Sequence, residues 1–332
     1  MRSNRLDIYR RLEHTRGSRL LVYVTGDRQG LETRIHPEVL DYFTHHLDRI
    51  GDVDKISLFL YTRGGDTLAS WSIANLIRQF CKSFEVIILS KCHSGGTLIS
   101  LAADTILMTK QATLGPIDPS VQGPLNPGVP GAPPHVKVPV SVEAINAYLT
   151  FAREALGDGS KLDEIVKQLS QQVHPLVLGD AYRARSQIRM LARKLLARQI
   201  TDEKQVERIL EFLCSESGSH DYTINRREAR DDLGLKIEKP DDTLYGLIKS
   251  LYDDIAHELE LTTPYNPNLL LGTNQTTTYA LRRALVESVE GGTHVFISEG
   301  ALNRQMIQAQ PALVQEAIAD QRTFEGWRHE PA

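Results

Sequence analysis

Two glycine-containing turns carry residue types that suit acyl-transfer chemistry, and each follows an apolar, strand-like run. The first turn holds Gly64 and Gly65, and the second holds Ser94 and Gly95 at the start of an apolar, helix-like run. Serine is a nucleophile when a base takes its proton, and the oxyanion that it creates must be met by fixed donors. Glycine lets backbone N–H groups approach a ligand closely. The pattern predicts Ser94 as the nucleophile and the N–H groups of Gly64, Gly65 and Gly95 as oxyanion donors.

Each turn also has a plainer interpretation. Serine at a helix start is most often an N-cap, and a Gly-Gly pair can simply end a strand tightly. Ser90 and Ser100, on either side of the second turn, are expected to be a strand end and a helix-face residue. The pairing of two such turns, one βα unit apart, favours the catalytic interpretation.

Strand-like and helix-like runs alternate along the first third of the chain and position these turns. Apolar runs without polar alternation are typical of strands buried on both faces of a parallel sheet. Their alternation with helices implies right-handed crossovers. Strands are expected at 19–25, 55–61, 84–90 and 105–108, and helices at 6–16, 36–50 and 66–80.

The rest of the chain is predicted to be mostly helical. Residues 123–139 are rich in proline and glycine and are expected to form a loop or flap. Helical spacing then predicts helices at 141–156, 161–198 with a break at His174-Pro175, 202–214, 226–233, 244–261 and 276–289. A strand is expected at 294–298, followed by a helical tail after Glu299. The predicted division is a catalytic domain at 1–200 and a mostly helical C-terminal extension at 201–332.

Seven short segments within residues 15–225 resemble the motifs of one family. They are 23–28, 58–66, 93–97, 103–104, 114–119, 174–179 and 220–222. In their order they resemble the serine dehydrogenase proteinase family, distant relatives of the Clp peptidases in the Clp/crotonase superfamily. The resemblance implies an α/β fold, a Clp/crotonase-like spiral of βαβ units, here with a helical C-terminal extension.

The same resemblance implies a triad in the chain order serine, aspartate, histidine, whereas Clp peptidases follow the order serine, histidine, aspartate. Asp118 stands where an analogous segment of the Clp peptidases carries the catalytic histidine, and a carboxylate there could orient a histidine. The alternative for Asp118 is an Asx-type turn before Pro119. His174 is the expected base for Ser94, oriented by Asp118.

Three other residues remain candidates for the base. His220 fits the same chain order and lies in a matching segment. Signal-peptide-peptidase-type relatives use a serine–lysine dyad, which makes Lys137 and Lys161 alternatives, because a buried lysine can have its pKa lowered by desolvation. His93 is expected to be structural, because neighbouring side chains at a turn usually point apart.

The amino-acid composition limits the classes of protein to which the chain can belong. The chain has 332 residues, of which 24% are charged, and its net charge of −4 disfavours a nucleic-acid-binding surface. It has no apolar run of about 18 residues, so no transmembrane segment is expected, and its first residues do not resemble a signal peptide. Three cysteines without metal-type spacing fit a reducing, cytoplasmic location.

No cofactor and no metal are expected. The chain has neither a Walker loop nor a dinucleotide fingerprint, and its histidines, cysteines and carboxylates lack metal-ligand spacing. The Arg- and Leu-rich stretch 186–198 is expected to be a solvated or inter-subunit face, which favours a homo-oligomer.

The sequence therefore predicts a Clp-like serine peptidase that hydrolyses peptides or unfolded chains through an acyl-enzyme on Ser94. Two alternatives remain open. One is a crotonase-type acyl-CoA enzyme, which would use the same oxyanion turns without a serine nucleophile. The other is a catalytically inactive oligomeric scaffold, in which Asp118 is the trace of a dismantled triad.

Overall fold

The computed structural model describes residues 2–156, 162–216, 219–310 and 313–330. The helices are α1 (Arg2–Arg16), α2 (Val39–Ile50), α3 (Thr67–Gln79), α4 (Gly95–Leu101), α5 (Val142–Leu156), α6 (Leu162–Gln172), α7 (Pro175–Leu196), α8 (Glu203–Glu211), α9 (Arg226–Asp231), α10 (Asp242–Glu258) and α11 (Pro267–Leu271). One π-helical turn, Phe212–Glu216, follows α8.

The strands are short in the middle of the chain and long at its end. They are β1 (Arg19–Thr25), β2 (Val53–Tyr61), β3 (Cys81–Ile88), β4 (Lys91–Cys92), β5 (Thr105–Met108), β6 (Thr113–Leu114), β7 (Ser120–Val121), β8 (Val140–Ser141), β9 (Ile224–Asn225), β10 (Ile237–Glu238), β11 (Thr276–Ser288), β12 (Gly292–Gln310) and β13 (Leu313–Glu330). With these helices they form a mixed α/β protein that has one large sheet.

The chain folds into two compact units, and the first is discontinuous. It consists of Met1–Thr113 together with Lys236–Ala332, whereas Leu114–Leu235 forms the second. The predicted division at residue 200 follows sequence resemblance and stays a prediction.

An eight-stranded sheet organises the first unit, in the order β10-β5-β3-β2-β1-β11-β12-β13. The five strands from β10 to β1 are parallel, and β11, β12 and β13 continue the sheet as antiparallel neighbours. The parallel strands and their connecting helices confirm the alternation predicted from the sequence. Glycine turns that follow β2 and β3 lie at the carboxyl ends of adjacent parallel strands, where open α/β sheets bind ligands.

Apolar side chains from α1 and α10 cover one face of this sheet, including Tyr9, Leu12 and Leu251. A buried arginine ties the same elements together: Arg5 donates to both carboxylate oxygens of Glu287 in β11, at 3.1 and 2.8 Å. An unpaired charge at this depth would be strongly destabilising, so the carboxylate partner is part of the core.

The last three strands correct the sequence prediction. The helix expected at 276–289 is wrong, because those residues form β11 and pair with β12 from Thr276 to Ser288. The expected strand at 294–298 lies inside the much longer β12. The tail after Glu299 forms the rest of β12 and then β13 rather than a helix. Cross-strand hydrogen bonds override the local helix-like spacing of the leucines and arginines in 276–289. Residues 289–291 form the hairpin turn.

The second unit is helical, apart from short strands. Helix α7 buries Val177, Ile188 and Leu191 among other apolar residues. The Pro- and Gly-rich loop lies between β7 and β8, which pair antiparallel at its two ends. This arrangement agrees with the loop predicted at 123–139. Among the described residues of either unit, no helix is both long and apolar enough to cross a bilayer.

Candidate active site

Ser94 lies in a strained turn between β4 and α4. Its φ of 50° and ψ of −112° fall outside the common regions for a non-glycine residue, and its side chain makes no N-cap hydrogen bond. Such a conformation costs on the order of 1–3 kcal/mol and persists only where its surroundings enforce it. The N-cap interpretation therefore does not describe Ser94, whose hydroxyl is half-buried and is not used for capping.

The first glycine turn is held by backbone contacts with Ile35. The N–H of Ile35 donates to Gly64 O at 2.9 Å, and the N–H of Asp66 donates to Ile35 O at 2.8 Å. Gly65 has a φ of 152°, and a methyl group on it would lie 2.3 Å from Ile35 O. No side chain fits at Gly65, because the space is occupied by another segment of backbone.

The two glycine turns lie in close contact. A methyl group on Gly64, whose φ is 102°, would lie 2.7 Å from Ser94 Cβ and 2.9 Å from His93 O. A methyl group on Gly95 would lie 3.4 Å from the amide nitrogen of Gly65. The serine hydroxyl and the glycine amides therefore share one small region of the first unit.

The three predicted donors are not equivalent. The N–H of Gly64 already donates to Thr62 Oγ1 at 2.9 Å. For Gly65 and Gly95, the N–H groups have no hydrogen-bond partner in the part of the chain that the structure describes. Gly95 opens α4, and the first N–H groups of a helix have no partner inside the helix.

The residues that flank Ser94 have structural roles. His93 Nε2 lies 2.8 Å from Thr113 Oγ1, so this nitrogen is engaged by a neighbouring side chain, in agreement with the structural role expected for His93. Cys92 is completely buried, and burial raises the pKa of its thiol to about 12. The thiolate is therefore scarce at neutral pH, and Cys92 is the small buried strand residue expected from the sequence.

In the second unit, Asp118 pairs with His220. Asp118 Oδ1 lies 2.8 Å from His220 Nδ1, and the Asp118 side chain is 12% exposed. A carboxylate oxygen only accepts, so Nδ1 carries the proton in this contact and a neutral ring presents Nε2 as the acceptor. That tautomer is the one that a serine nucleophile requires of its base.

His174 lies at the start of α7, and the structure does not pair it with Asp118 among the described residues. It is the N-cap of α7, where its Nδ1 accepts the N–H of Leu176 at 3.2 Å, and its side chain is exposed. Pro175 follows as the first helical residue, a position that proline favours. The break in helical spacing that drew attention to His174 is therefore an ordinary helix start.

The structure describes one of the two lysines considered as alternative bases. Lys137 lies in the loop between β7 and β8, where it forms an isolated antiparallel bridge with Gly128. Lys161 lies outside the described residues.

Sequence comparison confirms the resemblance over the part of the chain that carries Ser94. The family of ClpP-like SDH-type serine proteinases matches residues 1–129. This match includes both glycine turns and Asp118 and ends before His174 and His220.

Two uncharacterised proteins of Methanocaldococcus jannaschii are also similar. MJ0137 is 33% identical over 192 residues, which are 57% of this chain and 56% of that protein. MJ1495 is 27% identical over 241 residues, which are 70% of this chain and 71% of that protein. The chain thus spans little more than half the length of the first relative.

Solved structures of proteases show weak likeness. A mutant of the 1510-N membrane-bound stomatin-specific protease has a TM-score of 0.37 at 14% identity, covering 63% of this chain and 77% of its own. A point mutant of ClpP1 from Listeria monocytogenes has a TM-score of 0.36 at 15% identity, covering 70% of this chain and 99% of its own. These TM-scores are too low to support an inference about the site.

Substituting Gly64 by alanine should destabilise the turn that carries Ser94, which we call the serine turn. Gly51→Ala is the matched control. Gly51 also has a positive φ, of 70°, but open space around its Cα. Both variants should lose about 1–3 kcal/mol of unfolding free energy from backbone strain. Gly64→Ala should lose a further ~1–3 kcal/mol, because its methyl group overlaps Ser94. Urea unfolding followed by circular dichroism measures both, and equal losses would contradict the close contact of the two turns.

Proposed function

We propose that this chain is a Clp-like serine peptidase that cleaves peptide bonds through an acyl-enzyme on Ser94. The observation that carries the proposal is the serine turn. Ser94 has a strained backbone, and its side chain makes no cap hydrogen bond. It lies beside the N–H groups of Gly65 and Gly95, which have no hydrogen-bond partner among the described residues. A strained turn that presents a serine next to fixed amide donors is the arrangement that acyl transfer uses. The serine-proteinase family match over the same residues supports it.

In this proposal, Ser94 Oγ attacks the carbonyl carbon of the scissile peptide bond, and its proton passes to a base. The carbonyl oxygen becomes an oxyanion that accepts hydrogen bonds from Gly65 and Gly95. The base then returns the proton to the leaving amine, and water hydrolyses the acyl-enzyme by the same steps in reverse order. Gly64 contributes by its shape, because its own N–H already binds Thr62.

His220 is the base that we now favour over His174. Its Nδ1 is held by the Asp118 carboxylate, which stabilises the imidazolium formed when Nε2 takes a proton. In contrast, the Nδ1 of His174 accepts a backbone N–H at the start of α7. The chain order serine, aspartate, histidine is the same for either histidine. A lysine base remains the alternative that the experiments below distinguish.

Peptides or unfolded chains are the proposed substrates, and no cofactor enters the proposed steps. A cytoplasmic location is part of the proposal. It is supported by the absence of a disulfide among the described residues, where Cys92 and Cys214 are buried and Cys81 is half-buried, because disulfides are rare in reducing compartments.

The first test is covalent labelling of Ser94 with a fluorophosphonate. Wild-type protein should be labelled at one site, and Ser94→Ala should not be labelled, because the only activated hydroxyl has been removed. Ser90→Ala is the matched control: Ser90 Oγ is buried and has no hydrogen-bond partner among the described residues, so its loss should leave labelling unchanged.

Intact-mass spectrometry and peptide mapping identify the labelled residue. Equal labelling of wild type and Ser94→Ala would exclude Ser94 as the nucleophile. A wild-type protein that is folded but never labelled would favour the inactive scaffold.

The second test separates His220 from His174 by hydrolysis of dye-quenched casein. His220→Ala should lower turnover by about 10⁴-fold or more, and Asp118→Asn by a comparable or smaller factor, since both remove the oriented base. His174→Ala should keep turnover and lose only about 0.5–2 kcal/mol of stability, because it removes a helix cap.

Circular dichroism confirms that each of these variants is folded. An inactive His174→Ala beside an active His220→Ala would return the assignment to His174. Loss of turnover only in Lys137→Ala or Lys161→Ala would replace the triad by a serine–lysine dyad.

We also propose that the chain forms a homo-oligomer, although not through the stretch expected from the sequence. In residues 186–198 the leucines are buried, and Arg189 and Arg193 pair with Glu207 and Glu203 of the same unit. Instead, α7 exposes apolar side chains: Leu176 is 63% exposed and Tyr182 is 74% exposed. Large apolar side chains exposed on one helix are candidates for a subunit contact.

Light scattering should give a mass that is a multiple of 37.2 kDa. The double variant Leu176→Ser, Tyr182→Ser should shift it toward the monomer, since the apolar contact area is lost. Leu269→Ser is the control, because Leu269 is 80% exposed but lies on α11 rather than on α7. A wild-type monomer at micromolar concentration would refute the proposal.

A further inference from the structure

Four histidines of the first unit, none of them proposed for catalysis, lie together. His45 and His46 are on α2, His294 is on β12 and His329 is on β13. His294 and His329 are directly opposite each other in the antiparallel pair. Their rings stack, with centroids 4.6 Å apart and an angle of 25° between the planes.

His45 completes a compact group with these two rings. Its ring centroid lies 4.9 Å from that of His294 and 5.0 Å from that of His329. Each of the three residues offers one ring nitrogen, and these nitrogens all lie within 4.8 Å of one another. The group is graded in burial, since His294 is buried, His45 is half-buried and His329 is exposed. An ion could therefore reach it from solvent.

Hydrogen bonds hold the His294 and His329 rings, each through one of its two nitrogens. His329 Nε2 lies 3.1 Å from Gly291 O, and only an N–H can donate to a carbonyl, which leaves Nδ1 as the lone pair. His294 Nδ1 lies 3.1 Å from His46 Nε2, and His46 Nδ1 lies 2.7 Å from Ser288 Oγ. When His294 Nδ1 donates to His46 Nε2 and His46 Nδ1 donates to Ser288 Oγ, the Nε2 of His294 keeps its lone pair for an ion. Metal-binding histidines are typically oriented by such contacts.

The surroundings of the buried His294 ring disfavour its charged form. Burial, followed by the neighbouring positive charges that His329 and His45 would carry, lowers the pKa of His294 to about 4.

We propose that His45, His294 and His329 bind one divalent transition-metal ion, and that this ion is zinc. Three imidazole nitrogens with a fourth position open to water is a coordination set that zinc accepts. Tetrahedral zinc with Zn–N distances of about 2.0–2.1 Å needs nitrogens about 3.3 Å apart. Small rotations of the half-buried His45 ring and the exposed His329 ring can bring the nitrogens to that separation.

The ion would fasten α2 to the last two strands. Elsewhere this region is joined by weaker contacts, such as the ring contact between Tyr42 and Trp327 at 5.0 Å. The three histidines are far apart along the chain, whereas metal motifs that can be recognised in a sequence have ligands a few residues apart. The expectation of no metal followed from that local criterion.

Zinc titration of the untagged, chelator-treated full chain tests the proposal. Isothermal calorimetry should find one zinc ion per chain in the wild type. His45→Gln and His329→Gln should each weaken binding by more than the roughly 10–100-fold that loss of a supporting contact costs, because each removes a ligand. His257→Gln, which changes an exposed histidine on α10, should bind zinc like the wild type.

Thermal unfolding gives a second readout, independent of peptidase activity. Zinc should raise the unfolding midpoint of the wild type and of His257→Gln, with reversal by EDTA, and should not do so for His45→Gln or His329→Gln. A wild type that binds no zinc, or histidine variants that bind it with unchanged affinity, would overturn the proposal. Loss of binding in His257→Gln would do so as well, by placing the ion elsewhere.

Discussion

Contact of backbone with backbone at the first glycine turn is the constraint on which the candidate site depends. Gly65 packs directly on Ile35, Gly64 packs on Ser94, and Gly95 packs on Ser70 Oγ, each at a distance that leaves no room for a β-carbon. These contacts hold Ser94 in a conformation that it would not adopt alone. Helix α4 is buried along its whole length, and its packing offsets the strain.

The sequence predicted the parts of this arrangement that have local signals. Buried strands read as unbroken apolar runs, and Gly64, Gly65 and Ser94 mark turns whose conformations few other residues tolerate. The C-terminal strands were missed because residues 276–289 space their apolar side chains as a helix does, whereas the pairing that makes them a strand comes from β12 and β1. Residues 276–289 themselves contain no signal that indicates pairing with β12 and β1.

The histidines show the same division between local and distant information. His174 could have been recognised as a helix cap, since Pro175 after it is a typical first helical residue. His220 could not have been ranked first, because its distinction is a hydrogen bond to Asp118, about a hundred positions earlier in the chain. The group of His45, His294 and His329 is more distant still, and only the register of β12 with β13 aligns two of its members.

The discontinuity of the first unit has a consequence for biosynthesis. Strand β1 pairs on one side with β2 and on the other with β11. The pairing of Leu21 with Ser288 cannot form until Ser288 has been translated. The whole of Leu114–Leu235 leaves the ribosome in that interval, at about 5–20 residues per second. Until then β1 is an open sheet edge, and until α10 has been translated the sheet face that it covers is bare. A chaperone that shields nascent apolar surface would therefore meet this polypeptide over many seconds.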